Sequence, residues 1–200
     1  MQLGFIGLGT MGRPMALRLM NGGHAMSVYA RRAEAALPLV DHGATACPTP
    51  AAVAERSDVV FTMVTGTSDV EEVVLGADGV GIIHGARRGT VVIDMSTISP
   101  RVTRDIAAAL NEKGVHMLDA PVSGGDVGAQ QGTLSIMVGG EQSVFDDYLP
   151  VFEAMGKNIN LIGANGAGQT TKACNQIAVS VANLAMAEAL MLAAASDLDV

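Results

Sequence analysis

Three glycines near the start of the chain, Gly7, Gly9 and Gly12, spell G-x-G-x-x-G directly after the apolar run QLGFI (2–6) and before a helical stretch at 11–21. Strand, glycine turn and helix in that order are what a βαβ dinucleotide site requires. The first glycine permits the tight turn, the second lets a pyrophosphate reach the backbone, and the third lets helix and strand pack closely. Free N–H groups at the helix start then face the anion. A glycine-rich turn without a ligand is the weaker alternative, because the motif opens the first βαβ unit. The expected cofactor contacts are Gly7, Leu8, Gly9, Thr10, Met11 and Gly12.

The rest of the chain extends that unit. Short β-branched or apolar runs at 2–6, 25–29, 58–63, 90–94, 115–119, 134–138 and 158–162 alternate with Ala-rich, 3.6-period stretches near 11–21, 33–41, 50–56, 68–75, 100–113 and 142–155. The alternation predicts an α/β fold of Rossmann type, a doubly wound and mainly parallel sheet flanked by crossover helices. From Gln169 to Ala195 no Gly or Pro interrupts a sequence of Ala, Leu, Met and Val. One long helix is expected there, about 40 Å in length and projecting beyond the sheet. GANGAG at 163–168 marks the boundary between a dinucleotide-binding domain at 1–164 and this helix at 165–200.

Composition excludes several alternatives. With 49% hydrophobic and 16% charged residues the 200-residue chain is expected to fold rather than stay disordered. A net charge of −8 argues against nucleic acid and anionic membranes as partners. Asn175, Gln176, Asn183 and Glu188 interrupt the most apolar segment, so it reads as part of a soluble protein. Cys47 and Cys174 form no framework, no signal peptide is evident at the start, and a cytoplasmic compartment is expected. The four histidines lie on separate elements without helical-spacing partners, so no metal site is expected. Cys174 is read as a small buried residue, and Glu71 with Glu72 as a solvated helix face.

Specificity and chemistry rest on a few positions. Where an acid usually meets the ribose hydroxyls of NAD, the sequence has Tyr29-Ala30-Arg31-Arg32. Two guanidiniums without a carboxylate favour a 2′-phosphate, hence NADP over NAD, the alternative being a solvated arginine pair. MVTGTSD (63–69), DMSTISP (94–100) and DAPVSGG (119–125) fall at strand ends, where small and hydroxylated residues suit close ligand contact. Ser123 with the amides of Gly124 and Gly125 suits a carboxylate, although any one of these segments alone reads as an ordinary turn. On the long helix Lys172, Gln176 and Asn183 share one face within roughly 40°, with Asn175 at its edge. A lysine there offers a cation and a transferable proton to a carbonyl oxygen, which reduction to an alcohol needs. Asn175 or Gln176 suits orientation of the substrate.

Taken together, GFIGLGTMGRPMA (4–16), DMSTISP, DAPVSGGDVGAQQGTLSIMVGG (119–140) and GAGQTTKACNQ (166–176) resemble the β-hydroxyacid dehydrogenase family, most closely its tartronate semialdehyde reductases and 3-hydroxyisobutyrate dehydrogenases. The resemblance spans the whole sequence. It implies hydride transfer between a nicotinamide and the β-carbon of a small hydroxy acid. It also implies that Lys172 is catalytic, that Ser123, Gly124 and Gly125 hold the substrate carboxylate, and that Asn175 and Gln176 form a polar follow-up. Met63, Val64 and Thr97 match cofactor or substrate contacts. The family continues into a further helical domain, which lies outside these 200 residues, so a weak or inactive NADP-binding and dimerisation module is the alternative. The apolar long helix further predicts a homodimer or higher oligomer.

Overall fold

The computed structural model describes residues 1–199. Its first half is a regular strand–helix alternation. In chain order it comprises β1 (Gln2–Ile6), α1 (Gly12–Asn21), β2 (Ala25–Tyr29), α2 (Leu37–Val40), β3 (Thr45–Ala46), α3 (Pro50–Glu55), β4 (Val59–Thr62), α4 (Thr67–Leu75), α5 (Ile82–Gly85) and β5 (Val91–Asp94). The second half contains α6 (Pro100–Glu112), β6 (His116–Asp119), β7 (Val122–Ser123), α7 (Gly125–Gln131), β8 (Leu134–Gly139), α8 (Gln142–Glu153), β9 (Gly156–Gly163) and α9 (Ala167–Ala195). Strands follow the order β3-β2-β1-β4-β5-β6-β8-β7, with β9 paired to β8. The first six are parallel, and β8 runs antiparallel to β6 and β7, so the sheet is mainly parallel and doubly wound as expected.

Burial on both faces explains the unbroken apolar runs of the central strands. VVFT in β4 and VVID in β5 are buried throughout. One core joins Phe5 and Phe61, stacked at 5.8 Å, to Met15, Leu19, Leu39 and Phe152. The opposite face packs Ile6, Val60 and Val92 against Val53, Val70, Ile82 and Ile106. Two helical layers therefore hold the sheet rigid, and its strand ends carry the loops that matter chemically.

Several details differ from the sequence reading. The helix expected over 33–41 is broken into a 3-10 turn at Ala33–Ala35 and the short α2, with Pro38 at the new start. The short elements β3, α5, β7 and α7 are not among the strands and helices expected from the sequence, and in α7 (GDVGAQQ) two glycines obscure the helical period. Cys174 is exposed, not buried. In α9 the buried residues are Gly168, Gln169 and Lys172, all near its start, so the sheet covers little more than the first turns of the helix. Beyond them Ile177, Val181, Leu184, Leu190 and Leu192 are exposed. By length and composition this helix is apolar enough to cross a membrane, with a mean hydropathy of 1.8 over an 18-residue window.

Candidate functional site

The three glycines of the first loop have different physical reasons. Gly7 has a φ of 96°, and a Cβ there would overlap the Met63 carbonyl oxygen. A Cβ on Gly12 would overlap the Gly7 carbonyl oxygen. The protein's own packing thus requires both. A Cβ on Gly9 would meet nothing within 4 Å. The open space above it is a cradle that a side chain would fill, which is the room a pyrophosphate needs to reach the backbone. On this observation the loop fits a dinucleotide.

A cleft of about 650 Å3 runs from the loop across the ends of β1, β2 and β4. Of the expected cofactor contacts, Gly7, Leu8, Gly9, Arg31, Arg32, Met63 and Val64 line it, whereas Thr10, Met11, Gly12 and Thr97 do not. Tyr29 of the segment before the arginine pair and Asp69 of MVTGTSD (63–69) also line it, and sequence reasoning missed Thr49, Pro50 and the α4 residues Glu72 and Val73. Glu72, assigned to a solvated face, borders this cleft. No local motif marks these positions, because only the crossover connections bring α3 and α4 over the loop after β2.

A second cluster gathers where α9 enters the domain. Asp119, buried at the end of β6, accepts hydrogen bonds from the backbone N–H of Gly166 through Oδ1 at 2.7 Å and of Gln169 through Oδ2 at 3.0 Å. Its carboxylate meets the positive end of α9, which favours the charge. Burial nonetheless pushes its pKa above the usual carboxylate range, against the pull of those two N–H groups. The Gln169 side chain, only 1% exposed, donates through Nε2 to the Ser96 carbonyl at 2.7 Å and accepts from the Ile98 N–H through Oε1 at 3.0 Å. Thr97, exposed between these two anchors, is held at a fixed place relative to α9.

The same loop reaches the cleft. Ser96 Oγ accepts from the Val64 N–H at 2.9 Å, and the Ser96 N–H donates to Asp94 Oδ1 at 3.1 Å. Thr62 Oγ1 donates to the same Asp94 oxygen at 2.8 Å. A continuous set of hydrogen bonds therefore ties the cleft wall at Val64 to the helix that carries Lys172.

Lys172 lies three residues beyond Gln169, and it is 8% exposed. Among the described residues its ammonium has no hydrogen-bond or ion-pair partner. Burial lowers its pKa. A partly desolvated lysine without a counter-ion holds its proton less tightly than a free one, which suits a proton donor. Ser123 is half-buried on β7, opposite Ser135 of β8, while Gly124 and Gly125 are exposed and lead into α7. Asn175 is half-buried and donates to Gln176 Oε1 at 3.4 Å, and Gln176 and Asn183 are exposed. Neither Lys172 nor this polar set borders the 650 Å3 cleft.

Residues 2–163 match the family described as the NAD binding domain of 6-phosphogluconate dehydrogenase. Over 199 residues the chain is 47% identical to a 2-hydroxy-3-oxopropionate reductase of Escherichia coli, covering 100% of this chain and 67% of that protein. The chain belongs to the β-hydroxyacid dehydrogenase family. Another family relative is the NAD-dependent L-serine dehydrogenase of Pseudomonas aeruginosa, 43% identical over 99% of this chain and 66% of its own length. Among solved structures, a Mycobacterium tuberculosis 3-hydroxyisobutyrate dehydrogenase with L-serine superposes with a TM-score of 0.91 at 37% identity, over 100% of this chain and 67% of that one. The chain therefore spans about two thirds of the length of these β-hydroxyacid dehydrogenase relatives, and an NAD(P)-binding domain is what it shares with them.

Proposed function

We propose that the chain acts in an NADP-linked oxidoreductase that interconverts a short semialdehyde acid, of the tartronate or methylmalonate semialdehyde class, and its 3-hydroxy acid. Residues 1–164 form the cofactor domain in this reading, and 165–200 a helix leading towards the rest of the site. The observation that carries it is Lys172, desolvated and without a partner among the described residues, on a helix fastened by Gln169 to the Thr97 loop. The nicotinamide supplies or accepts the hydride. Lys172 gives its proton to the carbonyl oxygen in the reducing direction and takes it back in the other. Ser123, Gly124 and Gly125 hold the substrate carboxylate through hydroxyl and N–H donors, and Thr97, Asn175 and Gln176 orient the substrate. Gly7, Leu8, Gly9, Thr10, Met11 and Gly12 hold the dinucleotide with Met63 and Val64, while Arg31 and Arg32 receive the 2′-phosphate.

A second reading, an NADP-binding and dimerisation module with little or no turnover, is favoured by the exposed apolar flanks of α9. Substitution Lys172→Met separates the two. Turnover of a panel of semialdehyde acids with NADPH is expected to fall at least about 100-fold, the scale of a lost acid–base group. NADPH affinity should stay unchanged and the melting temperature should change little, since the ammonium forms no ion pair or hydrogen bond among the described residues whose loss would cost stability. A variant that keeps its rate removes the lysine from the mechanism. A wild-type chain that binds NADPH without turning over any panel member supports the module.

A further inference from the structure

Arg31 is already engaged in the cleft. Its Nη1 lies 3.2 Å from Oδ1 of Asp69, with the arginine side chain 68% exposed and the aspartate 22%. Asp69 stands in the first turn of α4, where the positive helix end stabilises its charge. Glu72, one turn further along the same helix face, borders the cleft as well. One wall at the adenosine end thus carries two guanidiniums from the loop after β2, and the other carries two carboxylates from α4. The charge balance of this end is decided between elements rather than by the Arg31-Arg32 pair alone.

A 2′-phosphate settling on Arg31 must either share that guanidinium with Asp69 or displace it. Either way a fixed negative charge remains near the incoming dianion, and like charges a few ångströms apart repel even in a solvent-exposed cleft. A dinucleotide with a free 2′-hydroxyl brings no charge to that point, so the ion pair persists, and a carboxylate can accept the hydroxyl's hydrogen bond. We infer that Asp69 is a specificity-determining residue that competes with the 2′-phosphate for Arg31 and so limits how strongly the chain prefers a phosphorylated dinucleotide. The inference rests on the NADP reading above, because it presupposes that Arg31 receives the phosphate.

Calorimetric titration of NADPH, NADH, 2′,5′-ADP and 5′-AMP tests it without requiring turnover. Asp69→Asn should tighten NADPH and 2′,5′-ADP about 3- to 10-fold, the Coulomb effect of one unit charge a few ångströms away in a solvent-exposed cleft. NADH and 5′-AMP should stay within about twofold, and the gain should shrink when salt shortens the Debye length to about 3–4 Å. Asp69→Ser should behave like Asp69→Asn if the latter disturbs the start of α4. Unchanged or weaker NADPH binding in both variants overturns the inference, as does an equal gain for NADH. Arg31→Ala reports on the underlying reading. If it leaves the NADPH:NADH preference unaltered, the NADP assignment falls. If it abolishes the preference while the Asp69 variants are silent, only the role of Asp69 falls.

Discussion

Asp94 closes β5 with one carboxylate oxygen, Oδ1, taking two hydrogen bonds and the other, Oδ2, taking none. Full burial pushes its pKa up to about 6, against the pull of the Ser96 and Thr62 donors. The folded state therefore holds this proton to a higher pH than the unfolded chain. The associated stability is complete below the ordinary carboxylate pKa of about 4 and is lost as pH rises through about 6, by at most about 3 kcal/mol. Urea denaturation between pH 4 and pH 7 should show wild-type stability falling more steeply than that of Asp94→Asn, in which this position no longer titrates. Parallel pH profiles for the two proteins would exclude a titrating Asp94. At this scale the sequence identifies G-x-G-x-x-G but treats its glycines alike. The fold separates Gly7 and Gly12, required by the Met63 and Gly7 carbonyls, from Gly9, required by nothing within the protein. Asp94, Asp119 and Gln169 carry no motif, because their partners are backbone groups distant in sequence.

Among the elements, α9 depends on its first turn. Replacing Gln169 with Leu leaves the Ser96 carbonyl and the Ile98 N–H buried without their partner, a loss of about 2–5 kcal/mol for two unsatisfied groups. Denaturation midpoints should fall accordingly. Hydrogen exchange at the Ile98 amide should accelerate beyond the global change, and an unaltered rate there would show that the clamp is not maintained in solution. The long strands and helices were legible because their period is uninterrupted: β1 and β2 have the expected bounds, and α9 starts only two residues before the expected Gln169. Short elements were not. β7 and α7 arise from VS and GDVGAQQ, whose local preferences are weak and whose conformation is settled by packing on β8 and α1.

On the scale of the whole molecule, the exposed flanks of α9 need a cover. Leu184 is 62% exposed and Leu192 71%, on a helix whose apolar residues face nearly every direction. Soluble monomers usually leave open no more than a few hundred Å2 of contiguous apolar surface. For the 200-residue chain the expected cover is a second copy, with these helices packed on one another or on the partner's sheet domain. Light scattering at micromolar concentration should report at least a dimer, and Leu184→Glu with Leu190→Glu should dissociate or aggregate it. A detergent-free monomer that keeps α9 folded would refute this, and so would recovery only from membranes or detergent, the outcome that the helix's hydropathy allows. The sequence by itself determined the doubly wound sheet, the glycine loop and the projecting helix, since periodicity, turn residues and strand-to-helix order are local properties of the chain. Only the tertiary structure decided that Asp69 reaches Arg31, that Gln169 clamps the Thr97 loop, and that the sheet shields little more than the start of α9. Those contacts join residues from 38 to 73 positions apart, and through-space proximity at such separations follows from how the layers pack, not from any pattern within one segment.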